Sequence, residues 1–566
     1  MIRVAALQFS SGTDVDVNLA TSIEMIERAG EHKPQVMVLP EFCNHISWYD
    51  DAQHAWDVSL DLDGAFLHAI AAQAARHHCH LVINVSLRRS DQQLTITSLM
   101  YGPDGSLLAQ ADKQTLMGHE NFWFQRAKQV SPVLDTEVGR LAMFPCRDGV
   151  TFETPRGLAL RGAQLFCDSL NSFALDEASL HVPARAPENR CFLVAANKVG
   201  PLIPQNLLQQ VSEDTHIPLR FLYGAGESQI VSPQGKVLAK GPRDKDAVVW
   251  ADIDLSQADE KRSVDGTDCF TTRRPHLYSA IATAPKAIRS VPAQSITVAC
   301  LAPGLQGESA IVELEALIAE LPADTRLAVL PELFSGMEWG TSDKQLEQSQ
   351  VLIERLSSMC ESRNDFHIVT SLPMAQGQGV GLSALLIGSS GPVATQGQLH
   401  ASARFPGLQL AENFDSIDFS WGRLALLTAD DMRHPEMSKL AAIEGVHLLV
   451  VPGKLLETWE ATLALPSRAA ENRICLAYSS LAVGEHGGMI ADLHQDFTLM
   501  TAWAQRSFDG FINQPLITQQ IPGQRITLAS VNLLAANNKL MSEQTDLILD
   551  RPWELSGELI RESDND

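Results

Sequence analysis

Along this chain, short apolar runs alternate with longer stretches in which apolar residues recur every three or four positions. Residues 2–9 are short and alternating, which predicts a strand. A helix follows over 17–31, with Val17, Leu19, Ile23 and Ile26 on one face. Val36-Met-Val-Leu39 reads as a second buried strand, ending in Pro40-Glu41-Phe42. A helix near 63–77 leads to a strand over His80–Leu87, and Ile96–Gly102 forms the next, closed by a turn at Pro103-Asp-Gly105. Strands and helices keep alternating through Val194 and Ile230 to Val248–Ile253, so the fold class is α/β, a sheet covered by helices. Residues 279–295, rich in Ala, Pro and Ser and without a period, read as a linker.

After the linker the same text begins again. Ile296-Thr-Val-Ala matches Val4-Ala-Ala-Leu in character, and Val329-Leu-Pro-Glu332 repeats Val38-Leu-Pro-Glu41. Glu120-Asn-Phe recurs as Glu412-Asn-Phe, and Gly139-Arg-Leu-Ala as Gly422-Arg-Leu-Ala. Arg185-Ala-Pro-Glu-Asn-Arg190 recurs as Arg468-Ala-Ala-Glu-Asn-Arg473, and Arg274-Pro as Arg551-Pro. Six collinear matches exceed chance, so the expected organisation is one fold used twice: residues 1–278, a linker 279–295, and residues 296–566.

Length agrees, because 566 residues are too many for one core. A net charge of −25 argues against nucleic acid and anionic membranes as partners, and no apolar run reaches the length of a membrane span. The nine cysteines form no CxxC pair, which argues for a reducing compartment and against a disulfide framework or a zinc site. The expected setting is the cytoplasm, and no residue cluster calls for a metal or cofactor.

One cysteine stands apart. In Gly139-Arg-Leu-Ala-Met-Phe-Pro-Cys146-Arg-Asp-Gly149 an apolar run ends abruptly in a thiol, a charged pair and a glycine. This reads as a buried strand presenting Cys146 in a turn, with Gly149 allowing the bend. A sulfur clear of its own backbone can attack a carbonyl.

Leu39-Pro-Glu41, Asp112-Lys113 with Glu120, Cys146-Arg-Asp148, Arg185-Ala-x-Glu-Asn-Arg190, Gly226-Glu-Ser228 and Arg273-Arg-Pro-x-Leu-Tyr278 together resemble the nitrilase superfamily of carbon–nitrogen hydrolases. A degenerate version covers 296–555. The resemblance implies two tandem four-layer α-β-β-α sandwich domains, the first carrying a Glu41, Lys113 and Cys146 triad. It also implies Glu120 as an auxiliary carboxylate that positions Lys113 and the substrate. Glu41 would be the base, Lys113 would hold the oxyanion, and the Arg147 N–H would be its second donor. Other readings stay open residue by residue. Glu41 after Leu-Pro also suits a helix entry, and Lys113 a solvated lysine. Arg147 suits either the surface or recognition of an acidic substrate, and Asp148 suits a turn. Arg185, Glu188 and Arg190 read as a structural ion-pair network near the site, and His119 as a support for the pocket.

In the second copy, Ala429 aligns with Cys146 and Arg404 falls near the lysine position, while Glu332 and Glu412 remain. A carboxylate without a nucleophile forms no thioester, so residues 296–566 are expected to be inactive and to pack on the first copy as an intramolecular pseudo-dimer, with further homo-oligomerisation open. The expected substrate is a small amide or N-carbamoyl compound, since Cys-x-Asp-Gly resembles the aliphatic amidase and formamidase branch more than the Cys-Trp-Glu of nitrilases. A nitrilase, an acyl transferase using the same thioester, and an idle scaffold are the alternatives.

Overall fold

A computed structural model describes residues 1–562. The first unit comprises Met1–Lys261 together with Asp496–Asn513 and Leu540–Leu559. The strands of its Met1–Lys261 part, in chain order, are β1 (Ile2–Gln8), β2 (Val36–Val38), β3 (His80–Arg88), β4 (Leu94–Tyr101), β5 (Leu107–Asp112), β6 (Val133–Thr136), β7 (Gly139–Pro145), β8 (Leu165–Ser169), β9 (Phe192–Ala196), β10 (Gln229–Val231), β11 (Val237–Lys240) and β12 (Ala247–Ile253). They form two six-stranded sheets, in the orders β12-β1-β2-β3-β4-β5 and β11-β10-β9-β8-β7-β6. β1, β2 and β3 run parallel to one another, as do β7, β8 and β9, while the outer strands are antiparallel.

The period of two assigns the faces. Val4, Ala6, Val36, Val38 and Val82 meet Leu141, Met143, Leu165, Cys167 and Val194 in the core between the sheets. Their neighbours Ala5, Leu7, Met37, Leu81 and Ile83 pack outward against the helices Val15–Gly30 and Ala65–His77. The helix Val182–Asn189 covers the far face of the second sheet beside β9. Four layers result, α-β-β-α. The inner strands are buried on both faces, which is why they read as continuous apolar runs rather than as alternation.

The second unit holds Arg262–Gln495, Gln514–Lys539 and the chain from Ile560 on. Its strands are β13 (Ser295–Leu301), β14 (Thr325–Glu332), β15 (His367–Gln376), β16 (Gly379–Gly388), β17 (Gly391–Gly397), β18 (Ser416–Phe419), β19 (Gly422–Leu426), β20 (Leu448–Pro452), β21 (Cys475–Ser479), β22 (Met489–Asp492), β23 (Leu516–Gln519) and β24 (Ile526–Asn532). Their orders, β17-β16-β15-β14-β13-β24 and β18-β19-β20-β21-β22-β23, repeat those of the first unit strand for strand.

The division into units departs from the linear boundary at 278/279. Residues Arg262–Gln495, including the 279–295 stretch, fall in the second unit. There Arg273 pairs with Glu436 at 3.0 Å and the Tyr278 hydroxyl bonds His400 Nε2 at 2.6 Å. In return, the Arg551-Pro segment belongs to the first unit. A composition-based boundary cannot see this, because each segment is placed by which core its apolar residues complete and not by its neighbours in sequence. Among the described residues no helix is long and apolar enough to cross a membrane.

Candidate active site

Three positions just past strands and one helix start bring four side chains to one cavity of the first unit. Glu41 follows β2. Its N–H donates to the Leu170 carbonyl at 3.1 Å, and the next residue, Phe42, turns at φ 55° with its N–H on Asn84 Oδ1. Lys113 follows β5, its backbone tied to Ile96 and Ala127 at 2.8 and 2.9 Å. Its Nζ donates to Glu41 Oε1 at 2.8 Å and to Glu120 Oε1 at 2.9 Å. Glu120, at the start of the helix Glu120–Trp123, is aimed by the Met117 N–H on its Oε2 at 2.8 Å. All three side chains are buried.

Cys146 leaves β7 at φ 44°, ψ −102°, a conformation L residues rarely adopt. Its N–H is held by Asp168 Oδ1 on β8 at 3.0 Å. The sharp bend is therefore made by Cys146 itself and not by Gly149, which lies within the helix Arg147–Val150 and has no positive φ. Gly149 is required for a different reason: a Cβ there would meet Phe144 Cε2 at 2.6 Å.

Glu41, Lys113, Glu120, Cys146, Arg147 and His119 all line one cavity of about 160 Å³. His119 Nε2 lies 2.8 Å from the Ser47 carbonyl. Asp148 is not on that wall. Its carboxylate accepts the N–H groups of Gln114 and Thr115 at 2.8 and 2.9 Å, fixing the chain just after Lys113. Arg185 and Glu188 are also away from the wall. They form a buried i,i+3 pair at 3.1 Å on the helix Val182–Asn189, which Arg190 closes in the left-handed region.

The electrostatics follow from burial. Burial pushes the Glu41 carboxyl up to about 7 against the pull of Lys113, and Glu120 adds to the rise. Burial pushes the Lys113 ammonium down, but Glu120 and Glu41 outweigh it and hold it above its ordinary range. Burial and then Glu41 hold the Cys146 thiol well above its usual value, while Lys113 and the Asn171 backbone N–H pull it down. The resting thiol is protonated despite the adjacent ammonium, so a base must take its proton. A carboxyl near neutrality, as Glu41 is, is chemically able to accept it.

Two groups of residues were not legible in the sequence reading. Lys198 lies buried just past β9, its Nζ 3.0 Å from the Phe42 carbonyl, and burial lowers it to about 8. A polar pair, Asn197-Lys198, directly after an apolar strand was the available signal, since strand ends carry chemistry in α/β sheets. The second group comes from the far end of the chain. Leu499, Met500, Ile512, Met541 and Ser542 line the cavity. Phe497, Trp503 and Phe508 root these segments on Leu208, Val211, Ile217 and Leu222. The Asn513 N–H meets Asp176 Oδ2 at 2.6 Å, and Thr545 Oγ1 donates to the Leu116 carbonyl at 2.8 Å. Nothing local in sequence announces such contacts.

Residues 3–263 match the carbon-nitrogen hydrolase family. Over that span the chain belongs to it. Relatives include the "Nitrilase and fragile histidine triad fusion protein NitFhit" of Caenorhabditis elegans, 29% identical over 49% of this chain and 61% of that one. The nitrilase of Pyrococcus abyssi is 24% identical over 49% of this chain and 99% of its own length. Among solved structures, the NitN amidase from Neterenkonia sp. AN1 matches 49% of this chain and 98% of its own at 24% identity, with a TM-score of 0.41.

The equivalent place in the second unit is filled differently. β19 pairs Leu424 with Leu448 as β7 pairs Leu141 with Leu165, both shifted by 283 positions. Asp431 accepts the N–H groups of Leu399 and His400 as Asp148 does those of Gln114 and Thr115. That register puts Ala429 where the first unit has Cys146. The backbone place of Lys113 is taken by Gln398, not Arg404: its N–H bonds Leu382 and its carbonyl accepts from Ala411, as Lys113 does with Ile96 and Ala127. Arg404 reaches in from six residues further on. It forks onto Glu332 at 2.5 and 2.9 Å and contacts Asp430 at 2.9 Å.

Proposed function

We propose that the first unit hydrolyses a small amide or N-carbamoyl compound to a carboxylic acid and ammonia or an amine, through a thioester on Cys146. The observation that carries this reading is the Lys113 ammonium, bonded to both Glu41 and Glu120 within the one cavity that Cys146 also lines. Glu41 takes the thiol proton and the sulfur attacks the carbonyl carbon. Lys113 and the Arg147 N–H, which as the first residue of its helix has no intrahelical acceptor, stabilise the oxyanion. Glu41 returns its proton to the departing nitrogen, then activates the water that cleaves the thioester. The cavity is close to the ~150 Å³ that accommodates a benzene-sized molecule, which supports a substrate of few non-hydrogen atoms. The second unit, with Ala429 in the nucleophile's place and an arginine on Glu332, takes no part in catalysis.

The test is an ammonia-release screen of the full chain over amides, ureas and nitriles, with Cys146→Ala as control. Iodoacetamide should label Cys146 far faster than the other eight cysteines. Turnover that persists in Cys146→Ala, or a Cys146 no more reactive than the others, would sink the assignment.

A further inference from the structure

The turn that leads into Glu120 is held by residues from the far end of the chain. A hairpin of two short antiparallel strands, β25 (Leu540–Ser542) and β26 (Thr545–Asp546), belongs to the first unit. The Thr545 side chain is fully buried against Leu116–Gly118. Its Oγ1 donates to the Leu116 carbonyl at 2.8 Å and accepts the Gly118 N–H at 3.1 Å, across 429 and 427 positions of sequence. One hydroxyl thus closes the turn from both ends. Gly118 turns at φ 46° and comes so near the hairpin that a Cβ there would run into Ser542 Oγ.

Met117, between those two contacts, is the residue that aims Glu120. Its N–H donates to Glu120 Oε2 at 2.8 Å and its carbonyl accepts the Glu120 N–H at 2.9 Å. The other carboxylate oxygen, Oε1, takes the Lys113 ammonium at 2.9 Å. Without the hydroxyl the Leu116 carbonyl retains Asn121 Nδ2 at 3.4 Å, while the buried Gly118 N–H loses its acceptor. A buried N–H left unpaired is costly enough for the backbone to shift in search of a partner. Such a shift would reach Met117 first, and Glu120 through it.

We propose that Thr545 is a positioning residue for Glu120: by closing the Leu116–Gly118 turn it fixes Met117, and through Met117 the carboxylate that holds Lys113. The inference rests on the reading of the site under the proposed function and adds to it a residue outside the cavity wall. It also means that the first unit's site is not complete until the chain has been made almost to its end.

The experiment follows alkylation of Cys146 by iodoacetamide in the full chain, read by mass spectrometry, through a cycle of Thr545→Val, Glu120→Gln and the two together. Thr545→Val keeps the shape and removes the hydroxyl, and should slow alkylation by about 10-fold, on the scale by which small misplacements of a catalytic group cost rate. Thr545→Ser, which keeps the hydroxyl, should recover most of that rate. In the Glu120→Gln background Thr545→Val should cost less than about 2-fold further, because residues acting through one contact are not additive. A residue that merely stabilises the fold would slow alkylation by the same factor in both backgrounds. Equal factors overturn the proposal, as does a native rate in Thr545→Val, or a Glu120→Gln that leaves the rate unchanged while Thr545→Val lowers it. Thr545→Ala takes the place of Thr545→Val if that variant does not fold; failure of both to fold makes Thr545 a residue of the fold alone and overturns the proposal too. Failure of the thioester reading looks different: iodoacetamide then shows no preference for Cys146 in the unsubstituted chain, whatever the cycle gives.

Discussion

Glu120→Gln separates the two carboxylates that share Lys113. In the native site both contact one Nζ, at 2.8 and 2.9 Å, and Glu120 helps raise the Glu41 carboxyl to about 7. Oxygens held that close to one tetrahedral nitrogen lie about 5 Å apart, and at an effective dielectric near 20 two such charges repel by about 3 kcal/mol. At 1.36 kcal/mol per pK unit, removing one charge should lower the pKa of the other by about 2 units. The sign follows from the role of Glu41. A base must be ionised to take the thiol proton, so activity disappears as pH falls through its pKa, and a lower pKa keeps the enzyme working into more acid solution. The acidic limb of kcat/KM, near pH 7 in the native chain, should move down by that amount. The plateau should drop up to about 100-fold, because Lys113 loses one of its two anchors. The assay is ammonia release between pH 5.5 and 9, with the rate of Cys146 alkylation as a substrate-independent second reading. An acidic limb that stays in place or moves upward would refute this electrostatic account of the base, whatever happened to the plateau.

Phe508→Ala should destabilise the first unit by about 3–5 kcal/mol, because its ring packs edge-on against Phe221 and Trp503 at 5.3 and 4.9 Å, and thermal unfolding reads the loss directly. It should also raise KM, since the same segment carries cavity residues Leu499 and Ile512; an unchanged KM would mean that these segments do not shape the substrate's wall. Arg404→Met leaves Glu332 buried without its forked cation, while Asp430 keeps only Arg433 at 3.7 Å, so the second unit should lose about 3–5 kcal/mol at neutral pH. Ammonia release should be unaffected by this change. A parallel loss of activity would show that the second site takes part in turnover.

The local half of the site was readable because it lies at strand ends. β2 and β7 are buried apolar runs, and Glu41 and Cys146 come just past their ends, where a polar side chain leaves the core and can meet others; β5, which precedes Lys113, is partly exposed and carried no such signal. The bend after β7 was assigned to the wrong residue, since glycine is the usual sign of positive φ and here Cys146 adopts it. Arg147 could be given two readings from sequence but not decided, because burial is not a property of a residue's neighbours along the chain.

The amino-acid sequence by itself determined the α/β class, from the period of its apolar runs, and the repeated pattern, from collinear motifs; Glu41, Lys113 and Cys146 it offered only through the resemblance those motifs carry. Only the tertiary structure decided which unit owns Asp496–Asn513 and Leu540–Leu559, that Gln398 and not Arg404 stands in for the lysine, and that the Arg147 side chain is buried rather than on the surface. The physical reason is common to all three. Desolvation and side-chain pairing depend on what long-range packing brings near a group, and contacts between residues hundreds of positions apart leave no periodic mark on the chain that makes them.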